Sequence, residues 1–196
     1  MSFVLARHGE SEFSVRGLLN GDTSVRGGLT AAGREQARRL GELLRDERLD
    51  LCVTSALERT IETADEALRG RDVPRLVLRE LNDPLYGRFE GGALEEYRRW
   101  AAAEGSSAVP EPGGESRHAI VARYGRAFRA LLALPGEAIL VVAHSLPIAY
   151  ALAARDGTVP APRAPLVAYA EPYRFTRAEL ERAAALLETW AAAPTW

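Results

Sequence analysis

Phe3-Val4-Leu5-Ala6-Arg7-His8-Gly9-Glu10-Ser11 decides how this chain is read. A short apolar run, with the length and bulk of a buried strand, ends abruptly in Arg-His-Gly-Glu. Gly9 punctuates it, so the chain turns just past the imidazole. His8 then stands at a strand mouth, where an α/β sheet holds its ligand. Arg7 sets a permanent positive charge beside it. A neutral imidazole is a nucleophile and a guanidinium neutralises an anion, so the pair points to attack on a phosphate. The rest of the chain is expected to supply more positive charge, a proton donor and a second strand mouth.

Outward from this run, residues 9–28 form a long polar loop rich in glycine, and long loops in compact domains carry function. Thr30 starts an amphipathic helix. Residues 49–54 read as a second buried strand, with Cys52 a small core residue. Ser55-Ala56-Leu57-Glu58 reads as a capping box opening a helix with Arg59 in its first turn. Residues 75–78 read as a third strand, ending just before Glu80. Helices are expected over 94–103 and 116–134, the second stopped by Pro135-Gly136. Residues 138–143 are the clearest buried strand, and they end in His144-Ser145. Pro147 starts the next helix. Residues 166–170 are expected to form an edge strand, because Pro172 follows closely. Thr176 and Glu179 cap the last helix. The alternation of strand and helix predicts an α/β fold: a three-layer α/β/α sandwich around a mainly parallel sheet. His8 and His144 then face one crevice.

Composition narrows the chemistry. The chain of 196 residues is 47% hydrophobic and 27% charged, with a net charge of −2. That is globular material with no global case for nucleic acid or a membrane surface, so any anion site must be local. It is expected to form a single domain over 1–196. All 25 basic residues are arginine, which excludes a Schiff-base lysine and a Walker lysine. Cys52 is the only cysteine, so no internal disulfide forms and a reducing, cytoplasmic setting is expected. No signal peptide is read at the N-terminus. The Cys-x5-Arg phosphatase loop fails, because Arg59 lies seven positions after Cys52. No Asp-x-Asp nucleophile pair occurs, and three scattered histidines suit a two-metal site poorly.

At this point the chain resembles the histidine phosphatase superfamily, also called phosphoglycerate mutase-like. Arg7-His8-Gly9-Glu10-Ser11 looks like its signature. The segment from Ser55 through Arg59 to Ala64 is similar to the one with its second phosphate-binding arginine. Residues 80–91 resemble the segment with its acid, Pro112-Gly113-Gly114-Glu115-Ser116 a recurrent loop, and Val141-Val142-Ala143-His144 its second histidine. The resemblance is strongest over residues 3–150. It implies that His8 is the nucleophile and forms a phosphohistidine. It implies that Arg7, Arg59 and a protonated His144 bind the phosphoryl oxygens, and that Glu80, partly desolvated, is the general acid and base. Glu58, Glu62, Asp83 and Glu90 are nearby acidic competitors. Ser11, Ser14, Asn20, Gly21 and Ser145 are assigned to substrate binding, with no metal and no cofactor. His118 is expected to be structural or exposed.

The sequence departs from the family's pattern in three places. Ser14 replaces a common Asn. The loop over 21–29 is about two residues longer, with Gly28 in place of a Pro. Ser145 and Leu146 replace glycines. Residues 12–28 and 84–114 are expected to form the lid that selects the substrate. The resemblance implies a metal-independent phosphomonoesterase acting on a small phosphate ester. The alternatives are a cofactor-dependent phosphoglycerate mutase and a non-catalytic binding module. Hydrolysis is preferred because only about 63 residues separate Glu80 from His144, where typical mutases carry a longer insertion. Oligomeric state is left open, a homodimer included.

Overall fold

The computed structural model describes residues 1–196. Its five strands are β1 (Ser2–Arg7), β2 (Leu51–Thr54), β3 (Arg75–Val77), β4 (Ala138–Ala143) and β5 (Tyr173–Thr176). They form one sheet in the order β3-β2-β4-β1-β5, parallel except for β5. Six helices accompany them: α1 (Ala31–Leu43), α2 (Glu58–Ala67), α3 (Leu94–Glu104), α4 (Arg117–Leu132), α5 (Ser145–Arg155) and α6 (Arg177–Ala192). No helix is long and apolar enough to cross a membrane.

Strand alternation builds the three layers. Side chains of a strand point to opposite faces in turn. Phe3, Leu5, Val53, Ile139, Val141 and Ala143 therefore join the larger core, with residues of α4, α5 and α6. Val4, Ala6, Cys52, Leu140 and Val142 join the smaller core, with residues of α1 and α2. Burial pushes the Cys52 thiol up to about 11, so it is an inert core group. A third, small cluster of Leu19, Tyr86, Phe89, Tyr97 and Ala101 lies under the loops.

Parallel pairing of β1 with β4 sets Arg7 opposite Ala143, and the His8 N–H donates to the Ala143 carbonyl at 3.0 Å. Both histidines therefore leave the sheet side by side at its C-terminal edge. The expected edge strand over 166–170 is not there. That stretch touches β1 through an isolated bridge, Arg7 with Tyr169, and the edge strand is β5. Pro165 and Pro172 bracket this stretch and bar a continuous ladder. It crosses the end of the sheet as a strap instead. The lid loops are joined: Leu18 bridges Ala93, and Leu19 and Gly91–Gly92 exchange backbone hydrogen bonds.

Candidate active site

A cavity of about 200 Å³ opens at the C-terminal edge of the sheet, lined by Arg7, His8, Arg59 and Asp83 among others. The same alternation that splits the core aims the first two. Arg7 follows the phase of Phe3 and Leu5, and its Nη1 donates to the Val167 carbonyl of the strap at 2.7 Å. His8 follows Val4 and Ala6 toward α2, where Arg59 waits.

His8 is buried, and its Nδ1 lies 2.7 Å from the Gly9 carbonyl. A carbonyl only accepts, so Nδ1 carries the proton and Nε2 keeps its lone pair. Arg59 Nε donates to that Nε2 at 3.2 Å, which requires the same tautomer. The Gly9 N–H is held by Thr63 Oγ1, which in turn donates to the Arg59 carbonyl. Burial, then the charges of Arg59 and Arg7, hold the His8 imidazole well below its ordinary 6.5. The group is a neutral imidazole at neutral pH, with an unprotonated Nε2.

His144 has no exposed surface, and its ring stands 5.3 Å from that of His8, behind the cavity wall. Its Nε2 lies 2.8 Å from Ser55 Oγ and its Nδ1 3.3 Å from Arg59 Nη2. A guanidinium only donates, so Nδ1 is bare and Nε2–H donates to Ser55. Burial, then Arg59, His8 and Arg7, push His144 well below 6.5. The expectation of a protonated His144 is therefore corrected to a neutral one. The capping box expected at Ser55 is also absent. The N-cap of α2 is Leu57, and Ser55 Oγ instead accepts from the Leu57 N–H and meets His144 and Thr60.

Arg59 is fully engaged. Nη1 donates to Asn20 Oδ1 at 2.9 Å, and Nη2 to the Asn20 carbonyl at 3.0 Å and to Asp83 Oδ2 at 2.8 Å. Asp83 is the one carboxylate lining the cavity. Its side chain is 19% exposed, and Oδ2 lies 3.5 Å from His144 Nδ1. Burial raises its carboxyl above the ordinary value, against the opposing pull of Arg59 and Arg7.

Glu80, expected to face His8, does not line the cavity. It sits in a 3-10 turn (Arg79–Leu81) that sends Leu81 into the core. Arg123 Nη1 donates to the carbonyls of Glu80 and Asn82, and the Tyr124 hydroxyl donates to the latter. These bonds fix the turn, and Pro84 holds the residue before it extended. Asp83 therefore leaves the turn at the cavity. The other acidic competitors serve the loops: Glu58 and Glu62 accept from the N–H groups of Gly27 and Leu29, and Glu90 from those of Gly21 and Tyr86.

Ser11 and Ser14 line the cavity with their hydroxyls 3.0 Å apart. Asn20 lines it too, as the partner of Arg59. Gly21 does not: it packs so closely that an added Cβ would lie 1.8 Å from the Pro84 carbonyl. Ser145 lines the cavity, but its hydroxyl accepts from the Val167 N–H at 2.8 Å, which ties the strap to α5. His118 Nε2 donates to the Ala191 carbonyl at 2.7 Å beside Trp190, away from the site. No three His, Cys, Asp or Glu side chains cluster as metal ligands would.

Two contributors escaped the sequence reading. Tyr169 lies under Arg7, its ring 3.9 Å from the guanidinium carbon. Arg117, at the start of α4, also lines the cavity. Tyr169 gave no signal, since a strap has no periodicity. Arg117 was hidden among arginines that mostly face solvent.

Comparison with known proteins agrees with this fold. The family described as the histidine phosphatase superfamily (branch 1) matches residues 3–192, well beyond residue 150. A 2,3-bisphosphoglycerate-dependent phosphoglycerate mutase from Methylobacterium sp. (strain 4-46) is 37% identical over 72% of this chain and 74% of its own. An adenosylcobalamin/alpha-ribazole phosphatase from Salmonella typhimurium is 36% identical over 74% of each chain. The crystal structure of a putative alpha-ribazole-5'-P phosphatase from Escherichia coli has a TM-score of 0.71 and 32% identity, over 81% of this chain and 80% of that one. With the fold, the paired histidines and this match in agreement, the chain belongs to the histidine phosphatase superfamily.

Proposed function

We propose that the protein is a phosphomonoesterase working through a phosphohistidine on His8, without a metal, with Asp83 rather than Glu80 as the proton donor. The observation that carries this reading is the bare Nε2 of a neutral His8 in a cavity shared with Arg7, Arg59 and a carboxyl of raised proton affinity. His8 Nε2 attacks phosphorus as the ester P–O bond breaks, and Asp83 gives its proton to the leaving oxygen. Water then attacks the phosphohistidine, Asp83 takes the water's proton, the P–N bond breaks and inorganic phosphate leaves. Arg7 and Arg59 hold the equatorial oxygens, with His144 accepting from Arg59 behind them, and preorganised charge there contributes most to phosphoryl transfer. A cytoplasmic setting fits a chain whose single cysteine is a buried free thiol.

The test is acid quenching during turnover of a labelled ester in the presence of EDTA. An acid-labile phosphoenzyme should form on the wild type and vanish in His8→Ala together with phosphate release. Full activity in His8→Ala, or an acid-stable phosphoenzyme, would overturn the reading. Alpha-ribazole phosphate belongs in the panel beside sugar phosphates and nucleotides, given the Salmonella relative. A mutase is the second reading, favoured by the Methylobacterium relative. Interconversion of phosphoglycerates that depends on 2,3-bisphosphoglycerate and outruns phosphate release would establish it.

A further inference from the structure

Arg117 lines the same cavity as His8 and is only 7% exposed. Its guanidinium makes one hydrogen bond within the protein, from Nη1 to the Tyr150 hydroxyl at 3.3 Å. Its Nε is buried with no partner. The Tyr97 ring centre lies 5.9 Å away, and no carboxylate pairs with it. A buried cation without a counter-charge is costly, so such a group marks a place where an anion is missing.

The molecule carries this signature twice. Arg7 also has a buried Nε without a partner and one hydrogen bond, to a backbone carbonyl. Arg7 stands beside the nucleophile, where phosphoryl oxygens are expected. Arg117 belongs to a different element, α4, among Tyr97 and Tyr150. The charge of the lining points the same way. Five arginines and a single carboxylate, Asp83, face this cavity in a protein of net charge −2. Arg98 and Arg163 share Glu95, and Arg59 is paired with Asp83. Arg117 remains with its charge unmatched.

We propose that Arg117 binds a second oxyanion, a carboxylate or a phosphate, on the leaving group of the substrate. The preferred ester is then a phosphomonoester with a second negative group, joined by a skeleton that suits walls such as Tyr86, Tyr97, Leu94 and Leu146. The kinetic part of the test rests on the phosphatase reading; the binding part does not.

The experiment compares phenyl phosphate, 4-carboxyphenyl phosphate and 1,4-phenylene bisphosphate, whose first leaving groups are closely matched phenols. The wild type should prefer a charged ester by about 10- to 100-fold in kcat/KM, the span of one charge-assisted hydrogen bond. The better of the two identifies carboxylate or phosphate. In Arg117→Met the ratio of charged to plain ester should fall to within about threefold of unity, and Arg117→Lys should restore part of it. Calorimetry on the wild type should show 4-carboxyphenylphosphonate or 4-phosphonophenylphosphonate binding at least about tenfold tighter than phenylphosphonate. A wild-type ratio near one, or a preference that survives in folded Arg117→Met, would overturn the proposal. Tighter binding of a charged phosphonate with no ester turned over would sink the phosphatase reading and leave the Arg117 site standing. Turnover of all three esters at equal efficiency would do the reverse.

Discussion

Asp83 owes its place to its chain neighbours. Asn82 Oδ1 accepts from the Ala56 N–H at 2.8 Å, the Asn82 carbonyl is held by Tyr124 and Arg123, and Pro84 keeps Asp83 out of the turn. Removing the carboxyl should therefore affect chemistry more than folding. Asp83→Asn is expected to lower kcat on alkyl phosphates by roughly 10²- to 10⁴-fold, the range of general acid catalysis, and far less on 4-nitrophenyl phosphate. Glu80→Gln should stay within about twofold of the wild type on both. Steady-state kinetics with the two ester types check this, and the opposite ranking would return the role to Glu80. The sequence alone does not show that Asp83 rather than Glu80 lines the cavity, because a short turn after a strand has no period to read. Ser55 differs from its expectation for a related reason: its spacing to Glu58 suits a helix cap, but a buried imidazole competes for the hydroxyl and wins.

At the scale of elements, the apolar runs of β1, β2 and β4 were legible because buried parallel strands need little else. The caps of α1 and α6 were legible because their donors have one local solution. The strap over 166–170 was not, since its position depends on long-range partners alone. It reaches Arg7 through Val167 and Tyr169 and is pinned by Ser145. Ser145→Ala leaves the nearly buried Val167 N–H without an acceptor, at a cost of about 1–3 kcal/mol. Tyr169→Ala removes the ring under Arg7, an interaction of about 0.5–2 kcal/mol. Both variants are expected to raise KM for phosphate esters by roughly 3- to 30-fold with less effect on kcat. A fall in kcat at unchanged KM would show that the strap does something other than hold Arg7 for binding.

At the scale of the whole molecule, two neutral histidines lie buried at the end of the sheet. In the unfolded chain each regains an ordinary pKa near 6.5, whereas in the native state each is held well below it. The unfolded chain therefore binds more protons as pH falls through that window. Stability is full above about 6.5 and is lost toward the lower folded values, by about 1.4 kcal/mol per pH unit for each histidine. Asp83 acts in the opposite sense, since its carboxyl is raised in the native state. Urea midpoints should fall between pH 7 and pH 5, and His144→Asn should flatten that fall. An unchanged slope in the variant would mean that His144 titrates alike in both states.

Arg59 binds Asp83, Asn20, His144 and His8 at once, so a phosphate can reach it only by taking the place of some of them. The arriving dianion displaces the carboxylate from its cation and adds negative charge beside it. Both changes raise the proton affinity of Asp83, and the second raises that of His144. In the proposed mechanism ligand capture is thus coupled to proton capture, and Asp83 is armed by the group it is to act on. Titration of the protein with inorganic phosphate in buffers of different ionisation enthalpy, with the ionisation of free phosphate subtracted, should show proton uptake by the protein near neutral pH, and Asp83→Asn should reduce it.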